Sequence, residues 1–415
     1  MRSPRVIATK FVLAVALVWS SSPLVGTSAA SSALQGRPAT ASNGTMHLVV
    51  WDEAEFGEPR DLRGVRRDGS GNAIGTAFDI AASPAWDMLP QVAWDGENFI
   101  VAWYRTSAQN VDLLVARVSP AGSVLDPSGV VVAPNIRGSS SPAALASGGV
   151  SSLVAWFDSA GAVRSSRISR AGVVLDPGGD LVGSNPIPAY TGSVSAAWHE
   201  SRYLVVWDVG RPPVDYAIFA NRIDGDTGSA LDGPGVPVAA GPGPRLFSRV
   251  AGGPGGFLVV WTDGRASPHV LQPYINSRCC PTPADYDLYG ARVSDAGIVV
   301  DPGGFVIAPG QGAQVDASLT QVGDGWLLAL VDNAHRWSGR GRVATTWVSS
   351  LPSLAPAATV DVSSSPSQTE PALSVDASGR ALVVWQDDGC GDRCSQIRGA
   401  LLTNSGTTQL GPVGR

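Results

Sequence analysis

The residues of this 415-residue chain best suited to chemistry fall in three segments: TDGRASPHVLQPYINSRCCPTPADYD, VDNAHRWSGRGR and QDDGCGDRC. The first carries Asp263, Arg265, His269 and Tyr274; the second carries His335, Arg336 and Trp337. Together they predict a ligand-binding surface. The carboxylates Asp263, Asp285, Asp287 and Asp332 lie in or beside the same segments and could serve a glycoside hydrolase as acid and base. An inverting pair would then stand ~6.5–9.5 Å apart. Nucleophilic catalysis is not supported, because no Gly-x-Ser-x-Gly elbow occurs and His47, His199, His269 and His335 are scattered. No histidine pair has metal-ligand spacing, and the stretch Asp224-Gly-Asp226-Thr-Gly228 offers two acids where calcium needs six to eight oxygens. No cofactor is expected.

All four cysteines, Cys279, Cys280, Cys390 and Cys394, lie in these segments. An even count in an exported chain predicts disulfides, with three connectivities open. Adjacent Cys279 and Cys280 do not suit a tetrahedral zinc site.

Positioning such residues falls to a repeat. A short apolar strand ends in tryptophan at Trp51, Trp103, Trp156, Trp207, Trp261 and Trp385, and a degenerate copy, WLLAL, ends at Leu330. The copies recur every 51–55 residues, except for a 69-residue interval that holds the long first segment. Arginine keeps step at Arg66, Arg117, Arg167, Arg222 and Arg292, and a turn of Asp-Pro-Gly type follows at Asp126, Asp176, Asp232 and Asp301. Each unit holds four short strands, A to D, joined by Asp-Gly and Asp-Pro-Gly turns. Helical periodicity is absent from the mature chain. Seven four-stranded units predict an all-β, seven-bladed β-propeller of antiparallel blades, because one blade alone cannot cover both its faces.

The repeated side chains read as architecture. Each tryptophan is expected to pack between blades, and each arginine to pair with a carboxylate near the end of strand B, such as Asp208 or Asp263. The string FLVVWTDGR…DYDLYGARVSDAGIVVDPGGFVIAP in the fifth copy resembles a repeat of exported bacterial proteins. That resemblance spans the mature chain and implies a propeller-like fold, with no common activity and no catalytic residues.

The N-terminus reads as an export signal over residues 1–33. Arg2, Arg5 and Lys10 precede the apolar run Phe11 to Trp19, and small residues follow at Ala29, Ala30 and Ala33. Nine apolar residues fall short of the ~20 that span a bilayer. Residues 34–415 are then a single propeller domain, expected to be a monomer, secreted or periplasmic, with no membrane insertion. Its formal charge of -6 becomes more acidic once those three cations are removed, which argues against nucleic acid as partner. Variable B–C loops on one face of a rigid disc are the expected place of function. The reading is a non-catalytic binding module for an extracellular glycan or protein, with a carbohydrate-active hydrolase or lyase as the alternative.

Overall fold

The computed structural model describes residues 33–413, apart from 56, 109, 137–140, 185–190, 212–214, 266–285, 310–311, 335–339, 351–359, 364, 366, 390–393 and 404–405. Among the described residues every regular element is a strand, and the strands form seven four-stranded antiparallel sheets. Each sheet takes its strands in chain order. The second blade, for example, runs A (Trp86–Trp94), B (Phe99–Thr106), C (Val111–Val118) and D (Val130–Ala133). The A strands pack against one another around a central channel, and that of the first blade (Leu34–Ser42) meets that of the seventh (Gln368–Val375). The molecule is a seven-bladed β-propeller.

Strand B reads as an unbroken apolar run because neighbouring blades cover both of its faces. In the third blade (Ser151–Phe157) and the fifth (Gly256–Asp263) every residue of it is buried. The repeated tryptophans close the gap to the preceding blade, as expected. Trp103 lies against Leu48, Val50 and Leu62 of the first blade, and Trp207 against Leu153 and Ala155 of the third. The Asp-Pro-Gly-Gly turn lies directly on that ring. A Cβ at Gly179 or Gly304 would fall 2.4 Å from Trp156 or Trp261, and both glycines have left-handed φ. Only glycine meets both conditions. The sixth blade shifts its aromatic to the start of strand B, where Trp326 donates Nε1–H to the Gly252 carbonyl at 3.1 Å.

The arginines pair differently from expectation. Arg117, Arg167, Arg222 and Arg292 bind Asp126, Asp176, Asp232 and Asp301, the acids of the C–D turn, and not the acids that end strand B. The turn folds back so that its aspartate takes the arginine main-chain N–H as well as the guanidinium fork; in the fourth blade Arg222 N donates to Asp232 at 3.0 Å. Burial pushes the Asp232 carboxyl up, yet the bonds from Arg222 hold it below the usual range. A further N–H of each guanidinium reaches the next blade: Arg117 donates to the Arg170 carbonyl at 3.1 Å, and Arg222 to the Asp295 carbonyl at 2.9 Å. The Gly172 and Gly297 turns of those blades lie close under the same guanidinium groups. Each pair therefore ties a turn to its own strand and to its neighbour. The acids that end strand B have other partners: Asp208 binds Ser193 and Ser248, and Asp263 binds Arg265.

Among the described residues no strand is shared between the first and seventh blades. Side chains and short bridges hold that seam. Ser395 Oγ donates to the Gln35 carbonyl at 2.6 Å, and Gln35 Oε1 accepts the Ile397 N–H at 3.0 Å. Arg67 donates to the Val413 carbonyl at 2.7 Å, and His47 Nδ1 lies 2.8 Å from Ser374 Oγ. Burial pushes the His47 imidazole down to about 4, against the opposing pull of Asp376.

Candidate functional site

The channel is lined by strand A, and strand A is where the blades differ. Six of the seven A strands slip register against strand B near their start. At these bulges Arg37, Leu89, Phe247, Asp316 and Glu370 take left-handed φ between 51° and 59°. Such values cost energy for residues with a Cβ and persist where surrounding bonds hold them. Here the holding bonds come from the preceding blade. Asp52 accepts the Leu89 N–H at 3.3 Å, and Asp208 accepts the Ser248 N–H at 3.1 Å. Arg37 N–H donates to Gln386 Oε1 of the seventh blade at 3.3 Å.

The bulges surround a cavity of about 500 Å³. Its wall is two-sided. Leu89, Val92, Pro142, Leu145 and Val194 of blades two to four make an apolar arc. Blades five, six, seven and one supply Phe247, Arg249, Asp316, Glu370 and Arg37. Arg340 and Asp388, which flank B–C loops, also line it and pair at 2.8 Å, so the cavity belongs to the face that carries those loops.

The charged arc is strongly perturbed. Burial pushes the Glu370 carboxyl up to about 7; Arg37 opposes this, while Asp316 and Asp52 add to it. Burial also raises Asp316, against Arg249 and the Glu370 N–H. One carboxylate oxygen of Glu370, Oε2, is buried without a hydrogen-bond partner among the described residues. Arg37 is tied to Asp52 at 3.3 Å, and burial, outweighed by Asp52 and Glu370, leaves its pKa raised. Arg249 is lowered by burial, in spite of Asp316, Asp208 and Glu370 nearby.

The described residues among those singled out in the sequence do not line the cavity. Asp263 is buried at the end of strand B, accepts Trp261 Nε1–H at 2.7 Å and is gripped by Arg265 at 2.6 Å. Arg265 also covers the Tyr289 ring at 4.1 Å. Asp332 accepts from Gln314 at 2.9 Å, Asp287 stands across from Asp263 in the ladder, and none of these acids lines the cavity. His269, Tyr274, Asp285, His335, Arg336 and Trp337 lie outside the described residues, as do Cys279, Cys280 and Cys390. Cys394 precedes strand C of the seventh blade, its Sγ accepting from Gln396 at 3.6 Å. Sequence reading missed Arg249, Asp316, Glu370 and Phe247, which sit on the innermost strand. A signal existed: Arg37, Leu89, Ser141 and Glu370 each precede a proline at the start of strand A, and their types do not repeat.

One described group has metal-ligand geometry. His199, Glu200 and Asp295 place ligand atoms within 4.8 Å of one another on the short-turn face. There His199 Nδ1 is already bonded to Asp295 at 2.7 Å, and the Asp295 carbonyl holds the Arg222 guanidinium beside the group.

No protein-family model matches the chain, and no curated protein is detectably similar. Solved structures are similar in fold. A protein of unknown function from Dyadobacter fermentans is 13% identical with a TM-score of 0.48, the match covering 89% of this chain and 94% of that one. Puromycin hydrolase is 13% identical with a TM-score of 0.50 over 91% of this chain, which spans only 53% of the hydrolase. An alpha-L-arabinofuranosidase from Lactobacillus brevis is 9% identical with a TM-score of 0.42, covering 78% and 93%.

Proposed function

We propose that the protein works outside the cytoplasm as a non-catalytic binding module that takes a short glycan segment into the channel. Concavity favours a glycan over a protein partner. A cavity of about 500 Å³ is the size that encloses a small ligand, whereas protein partners need a broad surface. The residues 1–33, read as an export signal, support the compartment, and cysteines bracing the neighbouring B–C loops would suit it.

One observation favours binding over catalysis. Of the three acids on the cavity wall, Asp388 is paired with Arg340 at 2.8 Å and Asp316 faces Arg249, which leaves Glu370 as the one wall acid suited to exchange a proton. Hydrolysis by two carboxylates needs a second such acid beside it. Titration calorimetry of the exported chain against a panel of neutral and acidic oligosaccharides tests this reading. Binding is expected, and Phe247→Ala is expected to weaken it; ligands that bind equally well to that variant would overturn the placement.

Hydrolysis is the second reading, and Glu370 supports it, since a carboxyl near 7 is suited to act as a general acid. Release of reducing ends from the bound oligosaccharide, abolished by Glu370→Gln, would establish it. Binding without release leaves the module reading in place.

A further inference from the structure

We propose that the channel ligand carries a carboxylate, as a uronic-acid sugar does, and that Arg249 is the residue that receives it. This deepens the channel-binding reading and rests on it.

Arg249 is set apart by what it lacks. Arg37 and Arg340, the other arginines on the cavity wall, each have an acidic partner. Arg37 and Arg60 share Asp52, Arg245 and Arg265 share Asp263, and Arg340 holds Asp388. Arg249 lines the cavity with one hydrogen bond, from Nη1 to the Ser248 carbonyl at 3.0 Å. Among the described residues no carboxylate lies within ion-pair distance of it. Nε and Nη2 are left on the guanidinium edge, and a guanidinium edge matches the two oxygens of a carboxylate. An unpaired cation in protein surroundings is costly unless something completes it.

The neighbours suit the rest of a sugar. Phe247, two residues earlier on the same strand, sits at a bulge and presents a ring to the cavity. Aromatic faces accept the apolar face of a pyranose. Asp316 and Glu370 put carboxylates on the cavity wall as acceptors for hydroxyls. The opposite arc, Leu89, Pro142 and Val194, offers no charge, so the ligand has one orientation.

Charge balance adds a second readout. Arg37 is matched by Asp52, and Arg340 by Asp388, which leaves Arg249 against Asp316 and Glu370. A ligand carboxylate would bring excess negative charge, and Glu370, already pushed up to about 7, is the group that takes a proton in response. Binding is therefore coupled to proton uptake near neutrality. Affinity for the acidic sugar should rise as pH falls from 8 to 6, where the sugar carboxyl itself stays ionised.

The experiment is titration calorimetry of the full exported chain with trigalacturonate, a neutral galactotriose and a sulfated galactotriose, in buffers of differing ionisation heat. Trigalacturonate is expected to bind with proton uptake and the neutral sugar at least about 30-fold more weakly, the loss typical of an unmatched charged partner. Arg249→Gln should erase that preference, with some loss of melting temperature because Asp316 loses the cation that opposes its burial, and Arg249→Lys should restore part of the preference. Preference for the sulfated sugar, or binding of trigalacturonate unchanged in Arg249→Gln, overturns the carboxylate assignment. Equal binding of neutral and acidic sugars, both weakened by Phe247→Ala, overturns it while sparing the channel reading. No sugar binding at all removes both.

Discussion

The C–D turns and the A-strand bulges are built from the same kinds of residue and use them in opposite ways. At the turns, arginine, aspartate, glycine and tryptophan recur in one arrangement, so that Arg117–Asp126, Arg167–Asp176, Arg222–Asp232 and Arg292–Asp301 are near copies. At the bulges the corresponding positions read Arg37, Leu89, Phe247, Asp316 and Glu370, no two alike. The repeated charges are paired, and the cation and acids of the channel are left partly open. In a cyclic repeat, a side chain that must join each blade to the next recurs in each blade. A side chain that must meet an asymmetric ligand does not.

The largest expected effect falls on the repeated set. Trp207 is fully buried and fills the seam between the third and fourth blades, with Gly183 and Gly235 pressed against its ring. Trp207→Ala should cost about 3–5 kcal/mol, the range for deleting a large buried aromatic. Chemical denaturation measures it; a loss under 1 kcal/mol would mean that the seams do not carry the fold. Phe247→Ala, in the variable set, should change stability far less.

That contrast also explains what the sequence made legible. Blade number, strand order and the tryptophan seams follow from a pattern written six or seven times, so a single chain contains its own controls. The arginine partner was misplaced because two acids per blade are available, one ending strand B and one in the turn, and spacing alone cannot say which the guanidinium reaches. The channel residues were missed for a deeper reason. Glu370 and Asp316 look like ordinary strand-start residues, and they become a site only when blades five, six, seven and one are brought around one axis.

A middle-sized effect belongs to the channel and depends on pH. Because burial pushes Glu370 up to about 7 from its ordinary value near 4.5, the folded protein holds more protons than the unfolded chain between those values. Stability therefore falls as pH rises through that window, with no penalty below 4.5 and the full penalty above 7, up to about 3 kcal/mol. Glu370→Gln keeps the shape of the side chain and cannot ionise. Its melting temperature should match the parent at pH 4.5 and exceed it at pH 8. A gap that is constant with pH would show that this carboxyl is not held up by its surroundings. The seam histidine moves the other way: His47, pushed down to about 4, makes the parent less stable as pH falls from 6.5 towards 4.

The smallest effect tests whether the repeat is functional chemistry or scaffold, by using the copy that keeps the arginine and lacks the turn. Arg66 occupies the repeated arginine position in the first blade, where no Asp-Pro-Gly turn follows. It donates to the Pro120 carbonyl of the second blade at 3.1 Å and lies over Gly122, as its counterparts lie over Gly172 and Gly297, but it has no turn aspartate. Arg222 makes the same reach to the next blade and in addition holds Asp232 by a fork and by its main chain. A hydrogen bond that involves a charged group contributes about 1.5–3 kcal/mol, and the Arg222 side chain makes several where that of Arg66 makes one. Arg222→Ala should then cost about 3 kcal/mol or more, and Arg66→Ala about 1.5 kcal/mol, measured by denaturant midpoints at constant slope. Adding the double variant Arg222→Ala, Asp232→Ala separates the terms, because it also removes the acid that the single change leaves half-buried without its cation. If the double variant is less damaged than Arg222→Ala alone, the loss in the single variant is the stranded carboxylate. If Arg66→Ala costs as much as Arg222→Ala, the inter-blade bond and not the Asp-Pro-Gly turn is what holds the rim.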